Sequence, residues 1–342
     1  MSKFINLSVD TLGSETLLSH ILKGLNESLE RNEEYFFYLY GRESLIKLEL
    51  QKYKKMRGRS EIINCEEEVL MSDKPADVIK QKKNSSMALA IESVSNGDSH
   101  SVLSCGNTGA LMALSFLYIK TINKIKRPAI ASIWPNLKSE SIVLDLGANT
   151  KKDARYLIDN ALLGSSLASI LFKIEYPSVG LLNVGTEENK GDEVMQLASE
   201  HLNNLSKRSV INYSGFIEGS DISIGKTNVV VTDGFTGNIA LKSAEGTAKM
   251  MQSHLKDAFK SSFISQVGYF LSSLAMKSIQ QRLDPRIHNC GILAGLNSPV
   301  IKCHGHSEYI GISYASDLIY SLIKENVTEN VVRYIKLINQ KR

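Results

Sequence analysis

Apolar runs that end in small and polar residues recur along this chain, and a helical pattern follows each of them. The four clearest runs lie at 102–103, 142–144, 179–182 and 229–231. Continuous apolar runs are typical of buried parallel strands, and ligands in open α/β sheets bind beyond the carboxyl ends of such strands. We therefore expect the polar residues of the four junctions to converge on one edge of a sheet. Their amides, hydroxyls and glycines suit a small anion better than a bulky apolar ligand.

The alternation of the two patterns predicts an α/β fold. Strand-like segments lie at 4–10, 35–40 and 60–65, a helical pattern lies at 15–29, and units of strand, loop and helix repeat from 101 to 236. This order predicts a Rossmann-like, three-layer structure in which a mostly parallel sheet carries helices on both faces.

Four other segments refine this outline. A helical pattern at 76–97 is interrupted at 84–86 by Asn-Ser-Ser, which predicts a break. Residues 52–59 form a basic loop between strands, residues 298–302 resemble a strand, and 309–338 resemble one last helix.

A long helical pattern at 236–281 carries an apolar stripe flanked by lysines. We expect one α/β domain over 1–342, from which residues 246–283 protrude as a helical pair. Two interpretations remain open: the stripe packs on the core or on a second subunit, or it dips into a bilayer while the lysines meet anionic head groups. The stripe consists of Phe263, Ile264, Val267, Phe270, Leu271 and Leu274.

Composition narrows the function classes. The 342 residues carry a net charge of only +4, which gives no electrostatic reason to expect nucleic-acid binding. No apolar stretch approaches the roughly 20 residues that a transmembrane helix needs. The chain starts without an export signal, and its four cysteines lack paired spacing. We expect a cytoplasmic protein with reduced thiols.

The first junction combines Gly106, Asn107, Thr108 and Gly109 at the start of a helical pattern. Unpaired N–H groups and a positive partial charge make a helix start a cradle for an anion. A simple capped turn is the alternative, since Asn and Thr also cap helices. Lys82 and Lys83, at the predicted helix break, offer positive charge to a phosphate.

The second and third junctions are more ambiguous. Asp145 and Asn149 follow the second run, and Asn183, Glu187 and Lys190 follow the third. These side chains suit a bound phosphate or substrate, but an acidic first helical turn explains Glu187 equally well. It does not explain Asn183, because a polar amide at a buried strand end needs a partner.

The fourth junction is the most informative single loop. Asp233, Thr236 and Asn238 are spaced by glycines, and Lys242 follows one helical turn after Asn238. Glycines allow a close backbone approach, and the i, i+4 spacing places Lys242 on the same side as Asn238. We expect all four residues to bind substrate or phosphate.

Metal and cofactor motifs are missing from the sequence. His288, Cys290, Cys303, His304 and His306 carry suitable donor atoms, but their spacing matches no zinc motif. The Gly-x-Ser-x-Gly, Walker A and Gly-x-Gly-x-x-Gly patterns are also absent, which argues against a serine hydrolase, a P-loop NTPase and a conventional dinucleotide site. We expect neither a metal nor a cofactor.

Six segments, in chain order, resemble the PlsX family of bacterial phosphate acyltransferases. They are KKNSSM at 82–87, GNTGALM at 106–112, LDLGAN at 144–149, LNVGTEE at 182–188, DGFTGN at 233–238 and HG at 304–305. The resemblance implies a phosphate-acetyltransferase-like fold and an acyltransferase that makes acyl phosphate from inorganic phosphate and acyl-[acyl carrier protein], for phosphatidic acid and phospholipid synthesis. It also implies a homodimer, peripheral contact with the inner face of the cell membrane, and transfer of the product to a membrane glycerol-3-phosphate acyltransferase.

The chain departs from this family in three places. Its first loop, 10–15, reads Asp-Thr-Leu-Gly-Ser-Glu where Asp-Ala-Met-Gly-Gly-Asp is typical, Cys105 replaces a usual alanine, and His306 replaces a common serine. These departures change what we expect of the geometry of the first loop more than what we expect of the reaction.

Acyl transfer to phosphate needs no activated serine or cysteine, because phosphate is already anionic. We expect Asn107, Thr108 and the backbone of the first junction to hold phosphate, with Lys82 or Lys83 offsetting its charge. Asn183, Thr236 and Asn238 then orient the acyl carbonyl, and His304 protonates the departing thiolate or only binds.

An acidic carrier protein requires a basic docking face. Two clusters qualify. The first consists of Lys124, Lys126 and Arg127, and the second consists of Lys52, Lys54, Lys55, Arg57 and Arg59. Two alternatives to the carrier-protein reaction also stay open: a phosphate acetyltransferase-like enzyme that uses acyl-coenzyme A, and a non-catalytic, membrane-associated scaffold for lipid synthesis.

Overall fold

A single mixed sheet organises the molecule. The computed structural model describes residues 4–122, 125–273 and 290–340. Within these residues the strands are Ile5–Asp10 (β1), Tyr35–Gly41 (β2), Ser60–Asn64 (β3), Ser101–Ser104 (β4), Ala129–Pro135 (β5), Glu140–Leu144 (β6), Ser178–Leu182 (β7), Asn212–Ile217 (β8), Val229–Val231 (β9), Cys290–Ala294 (β10) and Val300–Cys303 (β11). They pair in the order β3-β2-β1-β4-β11-β10-β5-β6-β9-β7-β8.

The sheet consists of two parallel halves that run in opposite directions. Strands β3, β2, β1, β4 and β11 are mutually parallel, as are β6, β9, β7 and β8. Between the halves, β10 is antiparallel to both β11 and β5, and β5 is antiparallel to β6. The prediction of a mostly parallel sheet is confirmed. The prediction that all four junctions share one edge is wrong, because β4 ends at the edge opposite to β6, β7 and β9.

Helices cover both faces of the sheet, as the sequence predicts. The described helices are Leu18–Arg31 (α1), Glu43–Leu50 (α2), Lys54–Arg57 (α3), Pro75–Gln81 (α4), Ser86–Ser95 (α5), Thr108–Tyr118 (α6), Ala154–Phe172 (α7), Glu193–Lys207 (α8), Gly219–Ile224 (α9), Gly234–Lys260 (α10), Phe263–Leu271 (α11), Tyr309–Lys324 (α12) and Val327–Gln340 (α13). One apolar layer packs α1, α7, α8, α12 and α13 on the sheet, and a second layer packs α4, α5 and α6 on the opposite face.

Polar caps explain why the helices begin where the strand patterns stop. Ser85, Asn107, Asp153, Asp192 and Asp233 each precede a helix, and each side chain accepts a hydrogen bond from a backbone N–H of the first turn. The predicted break near residue 84 is confirmed, since α4 ends at Gln81 and α5 begins at Ser86. The strand-to-helix junctions are therefore encoded locally.

Other predicted elements differ from the structure. The basic loop 52–59 contains helix α3, and the last helical pattern is divided into α12 and α13 at Asn326, which has a positive φ of 47°. The hydrophobic patterns described above predicted neither strand β5 nor helix α2.

Helices α10 and α11 extend away from the sheet. Beyond Gly237 no residue of α10 is buried, and α11 has no buried residue. Of the apolar stripe, Phe263, Ile264, Phe270 and Leu271 are about four-fifths exposed, whereas Leu274 lies outside the described residues. Among the described helices, none has the length and apolar character needed to cross a membrane.

Candidate active site

A polar cavity of about 340 Å³ lies over the antiparallel strands between the two halves of the sheet. Ile130 and Ser132 of β5, Gly291 of β10 and Lys302 of β11 form its floor, because alternate residues of a strand face the same side. Helix α6 and helix α10 flank it. The junctions after β4, β6 and β9 start from opposite edges of the sheet, but their residues meet over its centre. The cavity is lined by Thr108, Leu146, Gly147 and Asn238.

Lys302 is the residue that the sequence analysis missed. Its side chain reaches the cavity, although the residue is only 8% exposed. The ammonium group donates to the carbonyl oxygens of Cys105, at 3.4 Å, and Cys303, and burial lowers the pKa of Lys302. A lysine inside a strand pattern was the available signal, because a buried cation calls for an anion.

A chain of polar contacts forms one wall of the cavity. Lys242 Nζ lies 2.9 Å from Glu245 Oε2 and 3.3 Å from His304 Nε2. Burial lowers the pKa of His304, and the charge of Lys242 lowers it further. His304 is therefore neutral near pH 7 and can accept a proton.

A second, more apolar cavity of about 490 Å³ adjoins the first. One face of α6 forms one side, with Thr108, Met112 and Phe116, and the segments 126–128 and 147–149 form the other. Thr108 and Gly147 line both cavities. The two cavities thus meet at the start of α6.

Asn107 lies at this helix start, but its amide is already engaged. Its Oδ1 accepts from the N–H of Ala110, and its Nδ2 donates to the carbonyl oxygens of Leu70, Met71 and Asp73 at 2.9–3.2 Å. The side chain therefore fixes the segment 70–73 against α6. Thr108, the next residue, is the one that lines the cavities.

Lys82 belongs to the same supporting arrangement. Its ammonium group lies 2.6 Å from Asp73 Oδ2 and 2.8 Å from the carbonyl oxygen of Glu68. Lys83 is exposed, and neither lysine lines the two cavities. The structure therefore does not bring these lysines to the anion cradle that the sequence suggested. Of the cradle glycines, Gly109 lines the apolar cavity and Gly106 is buried behind it.

Asp145 organises the second junction. Its buried carboxylate accepts hydrogen bonds from four backbone N–H groups and from the hydroxyl of Tyr156, at 2.7–3.1 Å. Burial nevertheless raises the pKa of Asp145. Asn149 is held by the same loop, since its Nδ2 donates to the Pro128 carbonyl and to Tyr156. Asn149 also lines the apolar cavity.

The fourth junction packs directly on the second. Asp233 caps α10 and accepts from the hydroxyl of Thr236, so both side chains serve the turn itself. A Cβ at Gly237 would lie 2.0 Å from the Asp145 carbonyl oxygen, which leaves room only for glycine. This close approach brings Asn238 and Lys242 to the polar cavity.

The third junction remains apart from both cavities. Asn183 Nδ2 donates to the Gly185 carbonyl at 3.3 Å, and Glu187 and Lys190 are exposed on the same loop. None of these three residues lines either cavity. The partner that Asn183 requires is therefore supplied by its own loop.

Asp10 is a buried carboxylate behind the start of α6. Its oxygens accept from the hydroxyls of Ser86 and Ser104 at 2.6 and 2.7 Å, and burial raises its pKa. Across the described residues, His, Cys, Asp and Glu side chains form no group of three that could hold a metal, and His288 lies outside these residues. Cys65, Cys105, Cys290 and Cys303 are buried and form no disulfide.

Comparisons with known proteins agree with this architecture. A family model described as "Fatty acid synthesis protein" matches residues 5–330. The phosphate acyltransferase of Agrobacterium fabrum is 41% identical over 339 residues, which cover 99% of this chain and 96% of the relative. A phosphotransacetylase from Streptococcus pyogenes has a TM-score of 0.63 at 16% identity and covers 96% of this chain and 95% of its own. The EutD phosphotransacetylase of Staphylococcus aureus has a TM-score of 0.58 at 15% identity, with coverage of 93% and 94%. The expected phosphate-acetyltransferase-like fold is confirmed.

Proposed function

The chain belongs to the fatty acid synthesis protein family, and we propose that it is a phosphate acyltransferase that makes acyl phosphate from inorganic phosphate and acyl-[acyl carrier protein]. The resemblance to PlsX phosphate acyltransferases is confirmed by this match and by the curated relative. The product would enter phospholipid synthesis.

One observation of the site supports this proposal most strongly. The buried Lys302 faces a polar cavity that also holds Lys242 and His304, and this cavity joins an apolar one at Thr108. A cationic, partly desolvated cavity suits phosphate, and the adjoining cavity provides access for a thioester donor. The geometry therefore offers places for both reactants.

The proposed reaction uses positioning rather than a covalent intermediate on the protein. Lys302, Lys242 and the first N–H groups of α6 bind hydrogen phosphate. A phosphate oxygen attacks the thioester carbonyl carbon, the C–S bond breaks, and an acyl phosphate and a thiol result. Neutral His304 accepts the proton of the phosphate and delivers it to the departing sulfur. Asn238, at the cavity wall, orients the carbonyl.

The remaining candidate residues act indirectly in this proposal. Asn107 and Lys82 hold the segment 70–73, and Asp145, Asp233 and Thr236 hold the two packed loops. Asn183, Glu187, Lys190 and Lys83 receive no role in the chemistry. The site thus has few contact residues and many that keep them in place.

Trapping the product tests the activity. Purified protein is incubated with inorganic phosphate and either acyl-[acyl carrier protein] or acyl-coenzyme A, and acyl phosphate is captured as hydroxamate with hydroxylamine. We expect phosphate-dependent hydroxamate, formed at higher kcat/KM from the carrier-protein donor. Preference for acyl-coenzyme A would favour the acetyltransferase-like alternative, and no product from either donor would favour a non-catalytic scaffold.

We also propose that α11 touches the inner face of the cell membrane. Phe263, Ile264, Phe270 and Leu271 are largely exposed, and an apolar surface of this kind suits an interfacial helix. Such contact would place a cytoplasmic, homodimeric enzyme next to the membrane glycerol-3-phosphate acyltransferase that consumes its product.

Vesicle flotation tests this contact. Replacing Phe263 and Phe270 by serine should weaken binding to anionic vesicles about tenfold, because each aromatic ring contributes roughly 1.5–3 kcal/mol when fully buried and this contact is partial. Leu137→Ser is a matched control, since Leu137 is 85% exposed in the turn between β5 and β6. Unchanged flotation of the double variant, together with its conversion from dimer to monomer in gel filtration, would identify the stripe as a subunit interface instead.

A further inference from the structure

A row of residues with unusual chemistry crosses the sheet and reaches the polar cavity. The strand register pairs Asp10 of β1 with Ser104 of β4, Ser104 with Lys302 of β11, and Lys302 with Gly291 of β10. Side chains of paired residues on neighbouring strands face the same side of a sheet. The row therefore starts at a carboxylate, passes a hydroxyl and an ammonium group, and ends at a glycine in the cavity floor.

Asp10 is buried at the far end of this row. It is only 2% exposed, and its oxygens accept from the hydroxyls of Ser86 and Ser104 and, at 3.3 Å, from the N–H of Leu12. Burial raises the pKa of Asp10, whereas these donors and the charge of Lys302 lower it. A buried carboxylate with three donors and a cation two strands away is suited to keep its charge.

The charge of Asp10 acts on Lys302 in return. Two strand spacings of about 4.8 Å separate the two residues, so their Cα atoms lie roughly 10 Å apart, with Ser104 between them. Burial lowers the pKa of Lys302, and the charge of Asp10 raises it. Without this carboxylate, the amine that faces the cavity would lose its proton at a lower pH.

Ser104 gives Asp10 a second route to the site. The hydroxyl of Ser104 donates to Asp10 Oδ2 at 2.7 Å and accepts from the N–H of Gly106 at 3.0 Å. On the other side of the same loop, Lys302 donates to the carbonyl oxygen of Cys105. The loop that leads from β4 to the start of α6 is thus held between the two charged residues.

We propose that Asp10 is a positioning residue of the phosphate site: through Ser104 it fixes the loop that leads into α6, and its negative charge keeps Lys302 protonated. This inference rests on the proposed function, because that function takes the polar cavity as the phosphate site. Asp10 lines neither cavity, so its effect on phosphate passes through Ser104 and Lys302.

The pH dependence of the phosphate KM in Asp10→Asn tests the effect of the charge. Asparagine keeps the shape of the side chain, and the titration of phosphate itself is common to both proteins and cancels in the comparison. We expect the rise of the phosphate KM with pH to begin at a lower pH in Asp10→Asn than in the wild type. In a Lys302→Met background, Asp10→Asn should leave the pH profile unchanged.

Other titratable side chains surround the two residues and stay in place in this comparison. The charges of the two nearest thiols raise the pKa of Lys302, and that of Lys242 lowers it. Because Asp10→Asn keeps all these groups, a difference in pH profile reports on Asp10. The groups are Cys105, Cys303, Lys242, Glu245 and His304 around Lys302, and Cys65 near Asp10.

Two serine variants test the route through the loop. Ser104→Ala and Ser86→Ala each remove one buried hydroxyl donor from Asp10, but only Ser104 also holds Gly106. Ser104→Ala should weaken the binding of inorganic phosphate, measured by calorimetry, about two- to tenfold, the range for one hydrogen bond. Ser86→Ala is the matched control and should change the phosphate Kd by less than about twofold, although it loses a similar hydrogen bond.

The outcomes separate this inference from the proposed function. A pH profile that is the same in Asp10→Asn and the wild type, or one that Asp10→Asn shifts equally in the Lys302→Met background, would overturn the inference. Equal phosphate Kd values in the two serine variants would overturn it even if Asp10→Asn did not fold. A wild type that binds phosphate but yields no hydroxamate from any donor would overturn the proposed function alone.

Discussion

Replacing Lys302 by methionine should lower kcat/KM for phosphate about 100- to 1,000-fold, which is the range for loss of one preorganised charge donor in an active site. Lys302 is buried, so its protonated ammonium group meets phosphate with little screening by water. Methionine keeps much of the volume and removes the charge. Steady-state kinetics with varied phosphate measures the effect, and circular dichroism verifies the fold.

A matched variant, Lys242→Met, tests whether the effect at Lys302 depends on the burial of the charge or only on its presence. Lys242→Met removes a cation from the same cavity, but the side chain of Lys242 is 48% exposed and already paired with Glu245. We expect a loss of less than about tenfold, because exposed pairs contribute roughly 0.2–1 kcal/mol. Equal losses in the two variants would contradict a special role for burial at Lys302.

The pH dependence supplies an independent readout of the same residue. Burial lowers the pKa of Lys302, so the amine loses its proton at a lower pH than an ordinary lysine. As the pH rises through this lowered pKa, the charge disappears and phosphate affinity falls. We expect the phosphate KM of the wild type to begin rising below the ordinary lysine pKa of about 10.4, and we expect Lys302→Met to lack this rise. A parallel rise in both proteins would assign the titration to another group.

Local patterns predicted the fold well because each strand end and helix start is encoded by neighbouring residues. The apolar run, the cap and the glycine at Asp233 and Gly237 are all visible in ten residues of sequence. The reversal of direction between the two halves is only partly local. Short turns join β5 to β6 and β10 to β11, but the antiparallel pairing of β5 with β10 brings together residues as far apart in sequence as Ala131 and Ile292, which no local pattern reveals.

The site was harder to predict than the fold for a related reason. Polar type and spacing identify side chains that need partners but do not say whether the partner is a ligand or the protein. Asn107 and Asp145 satisfy their hydrogen bonds within the chain, whereas Thr108 and Asn238 line the polar cavity. Lys302 could be noticed as a lysine within a strand pattern, but the sequence does not show which face of that strand lies under a cavity.

Asp145→Ala should lower the free energy of unfolding by about 3–5 kcal/mol, because the carboxylate is the common acceptor for five donors in a buried loop. Removing it leaves those donors without a partner and loosens the loop against which Gly237 packs. Urea unfolding measures the change. Asp192→Ala is the control, since Asp192 caps α8 through one N–H and pairs with Lys152 near the surface, and its loss should cost about 1 kcal/mol. If Asp145→Ala were as stable as the wild type and changed only the phosphate KM, Asp145 would contact the ligand, as its position after the strand first suggested. The structure favours the first result, because five protein donors share this carboxylate, and the same loop holds Asn149 at the apolar cavity and packs against Gly237 of α10.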